Sequence, residues 1–269
     1  MSDAKDEPTI HELFDLSGKT ALITGATGFL GSAMARAMAE AGASVVISSR
    51  ELKRAEDAIM PLPGSMEGQS HHGVELDQTD AASIDKGFSD AVAAAGKIDI
   101  LVNNGLDAIK KDLTDCTFEQ FVDQQRNTAA YFVLARLLCE HVKKRGVGGS
   151  VIMLGSMYGQ VASYPDTYQG VNMASPVAYH AHKGGTIQMT RHLAAYYAEH
   201  KVRVNCLSPG PFPGDGVNPK MVQRLVSKSP MKRMGRPHEL KGALLLLASD
   251  AGSYITGQNI TVDGGWMAW

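Results

Sequence analysis

Tyr179 and Lys183 stand four residues apart in a stretch of helical spacing that opens after Ser175-Pro176, so both side chains leave one face. Such a pair can do general acid–base chemistry. A phenol of pKa ~10 exchanges protons poorly at neutral pH, and moving it by three units takes ~4 kcal/mol. An ammonium ~4 Å away at an effective dielectric of about 20 supplies that much, which predicts a Tyr179 pKa lowered by Lys183. The spacing alone is weak, since a chain with this many Tyr and Lys yields about half a match by chance. A second match, Tyr197 with Lys201, lies just before the β-branched run that starts at Val202, at the amino edge of any sheet that run joins. It is assigned to structure.

Seven short β-branched runs could position these groups: 20–25, 44–49, 72–77, 98–104, 150–156, 202–210 and 259–265. Between them, 30–41, 81–95, 118–144, 176–200 and 237–249 carry apolar residues at helical spacing. Strand and helix alternating in this way predict an α/β fold, a doubly wound parallel sheet of seven strands with helices on both faces. No linker or repeat divides the chain, so 17–269 is read as one domain behind a polar extension, 1–16. The stretch from Tyr158 to Ala174 shows no period and is a candidate substrate loop.

Open α/β sheets bind ligands beyond the carboxyl ends of their strands. Those ends carry Thr24-Gly25, Ser49-Arg50, Asp77, Asn103-Asn104, Ser156 and Pro209-Gly210, all small, polar or turn-forming. The first leads into Ala26-Thr27-Gly28-Phe29-Leu30-Gly31. Glycines here let the backbone approach a pyrophosphate, and the helix start offers it free N–H groups. After the second strand an acid would hold a ribose 2′-hydroxyl, but Ser49 and Arg50 stand there, followed by Lys53 and Arg54. That choice favours NADP(H), with NAD(H) as the alternative.

Composition narrows the function classes. The 269 residues carry a formal charge of -2 with 44% hydrophobic residues and no Lys/Arg block, which argues against nucleic acid or an anionic membrane as partner. The acidic, polar start and the short apolar runs point to a cytoplasmic protein. Three scattered cysteines, Cys116, Cys139 and Cys206, suit a reducing compartment and no structural zinc. His180 and His182, two apart on a helix, face different ways and make no metal pair; His71-His72 is read as solvated. A hydrolase elbow is absent, because Leu154-Gly155-Ser156-Met157-Tyr158-Gly159 runs one residue too long after the serine.

Taken together, the chain resembles the short-chain dehydrogenase/reductase family over nearly its whole length, in its shorter single-domain branch. The resemblance rests on the glycine turn, Asn103-Asn104-Gly105, Asn127, Ser156, Tyr179 with Lys183, Ser208-Pro209-Gly210, Arg233 to Pro237, and the tail from Tyr254 to Gly265. It implies a Rossmann-type fold with Tyr179 as acid–base residue and Lys183 as modulator of its pKa and ribose ligand. Ser156 would orient the substrate oxygen, and Asn127 would anchor a proton-relay water. The cofactor would meet Gly25, Thr27 to Gly31, Ser49, Arg50, Asp77 and Gln78 at the adenine, Asn103 to Gly105, Tyr179, Lys183, and Pro209-Gly210 beside the nicotinamide. A homotetramer is implied as well, with the helices from Phe118 and Pro176 and the strand ending at Gly265 at its interfaces, and the apolar ends Trp266, Met267 and Trp269 are ones a monomer would expose.

The chain departs from the family pattern at several points. Phe29 takes the middle glycine of the turn, Leu106 follows Asn103-Asn104-Gly105, and no threonine follows Pro209-Gly210 at the usual distance. Ser156 and Tyr179 are about ten residues further apart than usual. The long insertion is similar to that of bacterial sugar and surface-polysaccharide enzymes, in which Tyr158, Tyr164, Tyr168 and Asn172 would either meet a hydroxylated substrate or hold the loop together. The reading is an oxidoreductase that interconverts a carbonyl and a secondary alcohol on a sugar, polyol or related compound. A 3-oxoacyl thioester reductase, a nucleotide-sensing protein and a sugar-nucleotide epimerase are the alternatives.

Overall fold

A computed structural model describes residues 7–64 and 67–268. In chain order its elements are α1 (Ile10–Phe14), β1 (Thr20–Thr24), α2 (Phe29–Glu40), β2 (Ser44–Ser49), α3 (Leu52–Ile59), β3 (His71–Glu75), α4 (Ala81–Ala95), β4 (Ile100–Asn103) and α5 (Phe118–Lys144). The second half adds β5 (Gly149–Leu154), α6 (Pro165–Tyr168), α7 (Val177–Tyr197), β6 (Val202–Pro209), α8 (Pro219–Lys228), α9 (Lys241–Ala248) and β7 (Asn259–Val262), with short 3-10 turns between them.

The seven strands form one parallel sheet in the order β3-β2-β1-β4-β5-β6-β7. The chain winds outward from β1 to β3, then returns to the other side of β1 and winds outward to β7. Carboxyl ends therefore splay apart between β1 and β4, where a crevice must open. Alternation along each strand builds two cores. Ala21 and Ile23 of β1 pack under α2 and α9 with Met34, Met38, Leu244 and Leu247. Leu22 points to the other face, with Leu134 and Leu138 of α5 and Leu193 of α7. Each of the leucine, isoleucine and methionine side chains contributes ~1.5–3 kcal/mol by its burial.

The expected strands and long helices are present, every strand but β2 ending one to three residues early so that Gly25, Asp77, Asn104, Ser156 and Gly210 sit just beyond them. The extension expected over 1–16 carries α1, capped by Thr9 and Glu12, and Leu16 is buried with its N–H donated to the Ala41 carbonyl. Packing thus reaches back to Leu16. His71, expected to be solvated, is tied down: Nδ1 accepts from the Val45 N–H at 3.1 Å, and Nε2 lies 3.1 Å from the Pro63 carbonyl. A third apolar cluster, Met157, Tyr168, Met221, Leu225 and Trp266, stands above the sheet's carboxyl edge. Trp266, expected at an exposed end, is inside it; Trp269 lies outside the described residues. Among the described residues no helix is long and apolar enough to cross a membrane.

Candidate active site

Beyond β1 and β4 lies a cleft of about 360 Å³. Its floor is the glycine turn. Gly25 takes φ +65°, and a Cβ there would stand 2.7 Å from the Gly105 Cα; one on Gly31 would stand 2.3 Å from the Gly25 carbonyl oxygen. Side chains at either position would push turn, helix and the β4 loop apart. No side chain caps α2 at Gly28, so the first-turn amides are left facing the cleft, as an anion requires. Thr27, Phe29 and Leu30 complete this wall.

Polar groups of β1 and β4 lock the turn. Thr24 Oγ1 accepts the N–H groups of Asn104 and Gly105, at 3.0 and 2.9 Å, while Asn104 Nδ2 donates to the carbonyls of Thr24 and Gly25, at 3.0 Å each. Asn103, expected among the cofactor contacts, is instead fully buried and donates to the Tyr131 carbonyl at 3.0 Å. Successive strand residues point to opposite faces, so only one of the two asparagines can face the cleft. Ser49, Arg50, Asp77 and Gln78 line its far side together with Arg54. Arg50 lies 3.7 Å from Asp107 across the mouth, both exposed.

Asn127 is buried on α5, where it closes a small network. Its Oδ1 accepts from Gln78 Nε2 at 2.6 Å and from the Asp107 N–H at 2.9 Å; its Nδ2 donates to the carbonyls of Asp107 and Gln124. The β4–α5 loop is thereby pinned to the cofactor cleft. A Cβ on Gly105 would stand 2.1 Å from Gln78 Oε1, so glycine leaves the space that Gln78 fills. Only the fold brings Gln78 to Asn127, and sequence spacing carries no sign of the contact.

Ser156 lies two residues beyond β5 and caps the 3-10 turn Met157–Gly159, accepting the Tyr158 N–H at 3.1 Å. Although the two are 23 positions apart in sequence, its hydroxyl comes close enough to the Tyr179 phenol, in the first turns of α7, to pull the phenol's pKa down. One turn on, Lys183 is buried with Nζ 5.7 Å from the Tyr179 ring centroid and 5.6 Å from that of Tyr131, donating at 2.6 Å to the Leu154 carbonyl. Burial pushes its pKa down to about 8. The expected lowering of Tyr179 by Lys183 is not found. Burial pushes the phenol up and only the Ser156 hydroxyl pulls it back; with its own pKa lowered to about 8, Lys183 has lost its charge before the phenol ionises. Tyr197 and Lys201 lie at the opposite end of α7, Lys201 in the turn that leads into β6.

A second cleft, of about 580 Å³, opens over Ser156 and Tyr179 and shares Leu106 with the first. Gly210 borders it, whereas Pro209, expected beside the nicotinamide, is buried as the last residue of β6. The candidate loop forms one wall, with Tyr158 and Tyr168 facing the cleft and bonded hydroxyl to hydroxyl at 2.7 Å. Tyr164, expected beside the substrate, is not on this wall. It packs edge-on against Trp266 at 5.6 Å, under the Lys228 ammonium at 4.7 Å, and so braces the loop against the tail. α8, unread in the sequence, supplies Met221 and Leu225 to the roof.

The family model described as Enoyl-(Acyl carrier protein) reductase matches residues 25–267. A short-chain type dehydrogenase/reductase from Mycobacterium marinum superposes with a TM-score of 0.88 at 32% identity, over 97% of this chain and 100% of that one. The chain belongs to the short-chain dehydrogenase/reductase family. Among curated relatives, the L-tagatose-forming galactitol 2-dehydrogenase of Cereibacter sphaeroides is 33% identical over 96% of this chain and 98% of its own. The gluconate 5-dehydrogenase from Burkholderia cenocepacia J2315, solved in complex with NADP and tartrate, has a TM-score of 0.85 at 28% identity, covering 97% and 100%.

As a short-chain dehydrogenase/reductase the protein is an enzyme that acts on CH–OH groups with a nicotinamide dinucleotide. The first cleft fits that group: tight glycines and uncapped amides suit the pyrophosphate, and the end of β2 offers cations with no acid. A bound dinucleotide supplies the hydride donor or acceptor. The protein's own residues place the Ser156 and Tyr179 hydroxyls on the second cleft.

Proposed function

We propose that this enzyme interconverts a ketone and a secondary alcohol on a sugar, polyol or related hydroxylated compound and prefers NADP(H). The convergence of Ser156 and Tyr179 hydroxyls over Lys183 carries the reading. Tyr179 gives its proton to the carbonyl oxygen in reduction and takes it back in oxidation, while Ser156 holds that oxygen in line. Lys183 lies beneath the Tyr179 ring, and Asn127, whose side-chain oxygen and both amide hydrogens are engaged with Gln78, Asp107 and Gln124, fixes the loop after β4 and has no side-chain group left for the relay water expected of it. The names of the two sugar-acid and polyol relatives support the substrate class.

Arg50 and Arg54 at the adenosine end support the cofactor preference, since a 2′-phosphate carries about -1.5 to -2 charges and no acid from β2 opposes it. The three free cysteines suit the cytoplasm. Phe118 and Phe132 on α5, Val177 on α7 and the edge strand β7 leave apolar and unpaired surface that a homotetramer would cover. The test is nicotinamide absorbance on a panel of ketoses and polyols with each cofactor. A hydroxylated compound turned over at least about tenfold better with NADPH than with NADH is expected; NADH preference, or no hydroxylated substrate, contradicts it.

A further inference from the structure

The second cleft is unlike a site for a compound hydroxylated from end to end. Sugar recognition needs unspent donors and acceptors, because each hydroxyl buried without a partner loses its water and gains nothing. Here the polar side chains are engaged with one another. Tyr158 bonds Tyr168, Ser175 comes close enough to pull the Tyr168 pKa down, and Ser175 Oγ lies 3.0 Å from His180 Nε2. Asn172 Oδ1 accepts the Met173 N–H at 2.9 Å, and its Nδ2 donates to the Met221 sulfur at 3.6 Å. Among the described residues the cleft is lined by no carboxylate and no guanidinium, and its single ammonium is that of Lys110 in the exposed β4–α5 loop.

The rest of the wall is apolar. Met157 and Met173 approach from the insertion, Met221 and Leu225 from α8, Phe212 from the turn after β6, and Ile109 from the loop after β4. Methionines on two separate elements form a deformable surface that follows the contour of an aliphatic body. The Phe212 ring packs on Gly235, where a Cβ would stand 2.5 Å from it.

We propose that the substrate is two-ended. Its reacting carbon and one neighbouring hydroxyl lie at Ser156, Tyr179 and the Tyr158 end of the hydroxyl string, and an apolar body of several carbons, deoxygenated or alkyl, fills the half walled by Met173, Met221 and Phe212. The proposal rests on the oxidoreductase reading and narrows its substrate class from polyols at large to α-hydroxyketones, or their diols, with an aliphatic or alicyclic substituent.

The experiment measures kcat/KM with saturating NADPH for two series. One is 3-hydroxybutan-2-one and its homologues lengthened on the hydroxyl-bearing side; the other is ketotetroses and ketopentoses of matching length. Each added methylene should raise kcat/KM about fourfold, the ratio that ~0.8 kcal/mol per buried CH₂ gives, while each added hydroxyl should lower it about tenfold. Met173→Gln and Met221→Gln should flatten the rise with chain length and leave NADPH affinity unchanged, and Met173→Gln alone suffices if the more buried Met221 variant does not fold. Ketopentoses turned over as well as the alkyl ketones, or a chain-length rise that survives Met173→Gln, would overturn the two-ended substrate while leaving the hydroxylated-substrate reading intact. NADPH binding without turnover of either series would overturn that reading, and the inference with it.

Discussion

Replacing Lys183 by methionine makes the cost of its burial measurable. In the folded protein its pKa is pushed from 10.5 down to about 8 by burial, a gap of about 2.5 units, or about 3 kcal/mol. The unfolded chain keeps this proton up to about pH 10.5, whereas the native state releases it near pH 8. Below pH 8 both states are protonated and the fold bears the full cost. Between the two values the unfolded state binds more protons, so stability rises with pH until the cost is gone. Methionine has no proton and no such slope. It also leaves the Leu154 carbonyl without its donor, a loss of about 1–3 kcal/mol that does not vary with pH and cancels from the comparison across pH. Urea unfolding of cofactor-free protein at one fixed concentration should show the wild type gaining about 2 kcal/mol on Lys183→Met between about pH 7 and about pH 9.5. A pH-independent difference would mean that Lys183 titrates as an ordinary lysine, and the argument from its burial would fail.

Arg50→Ala should weaken NADPH at least about tenfold and NADH less than about twofold, read by direct binding titration; equal losses would make Arg50 a general phosphate contact. Tyr197→Phe and Lys201→Ala, at the amino edge of the sheet, should leave kcat and KM within about twofold, and a large loss would show that the wrong YxxxK pair has been chosen. Sedimentation at micromolar concentration should give a tetramer mass; a monomer would remove the reason for the exposed Phe118, Phe132 and Val177.

How much could be read in advance depended on the range of the forces involved. β2 and α5 fall on their expected bounds because the signals are local: a β-branched run for β2, and the Thr117 capping box with Gln120 at the head of α5. α8 had its signal too, Asn218-Pro219 at the start and Met221, Val222, Leu225 and Val226 on one face, whereas α6 is four residues long and has no period to show. Which asparagine of Asn103-Asn104 meets the cleft depends on β4 lying level with β1, a matter of register across the sheet. Tyr158 and Tyr164 look alike in sequence, yet one faces the cleft and the other props Trp266, because the loop closes on a tail about a hundred residues away. The pairing of Ser156 with Tyr179 was legible by family likeness alone; the burial that lowers the Lys183 pKa was not.

Tyr179→Phe tests the central claim most directly. The substitution keeps the ring that packs beside Lys183 and removes only the hydroxyl that meets Ser156. With the variant saturated with NADPH and its affinity shown equal to wild type, the hydride-transfer rate for the best ketone should fall by at least about a thousandfold. Turnover within about tenfold of wild type would contradict the assignment of Tyr179 as the proton donor.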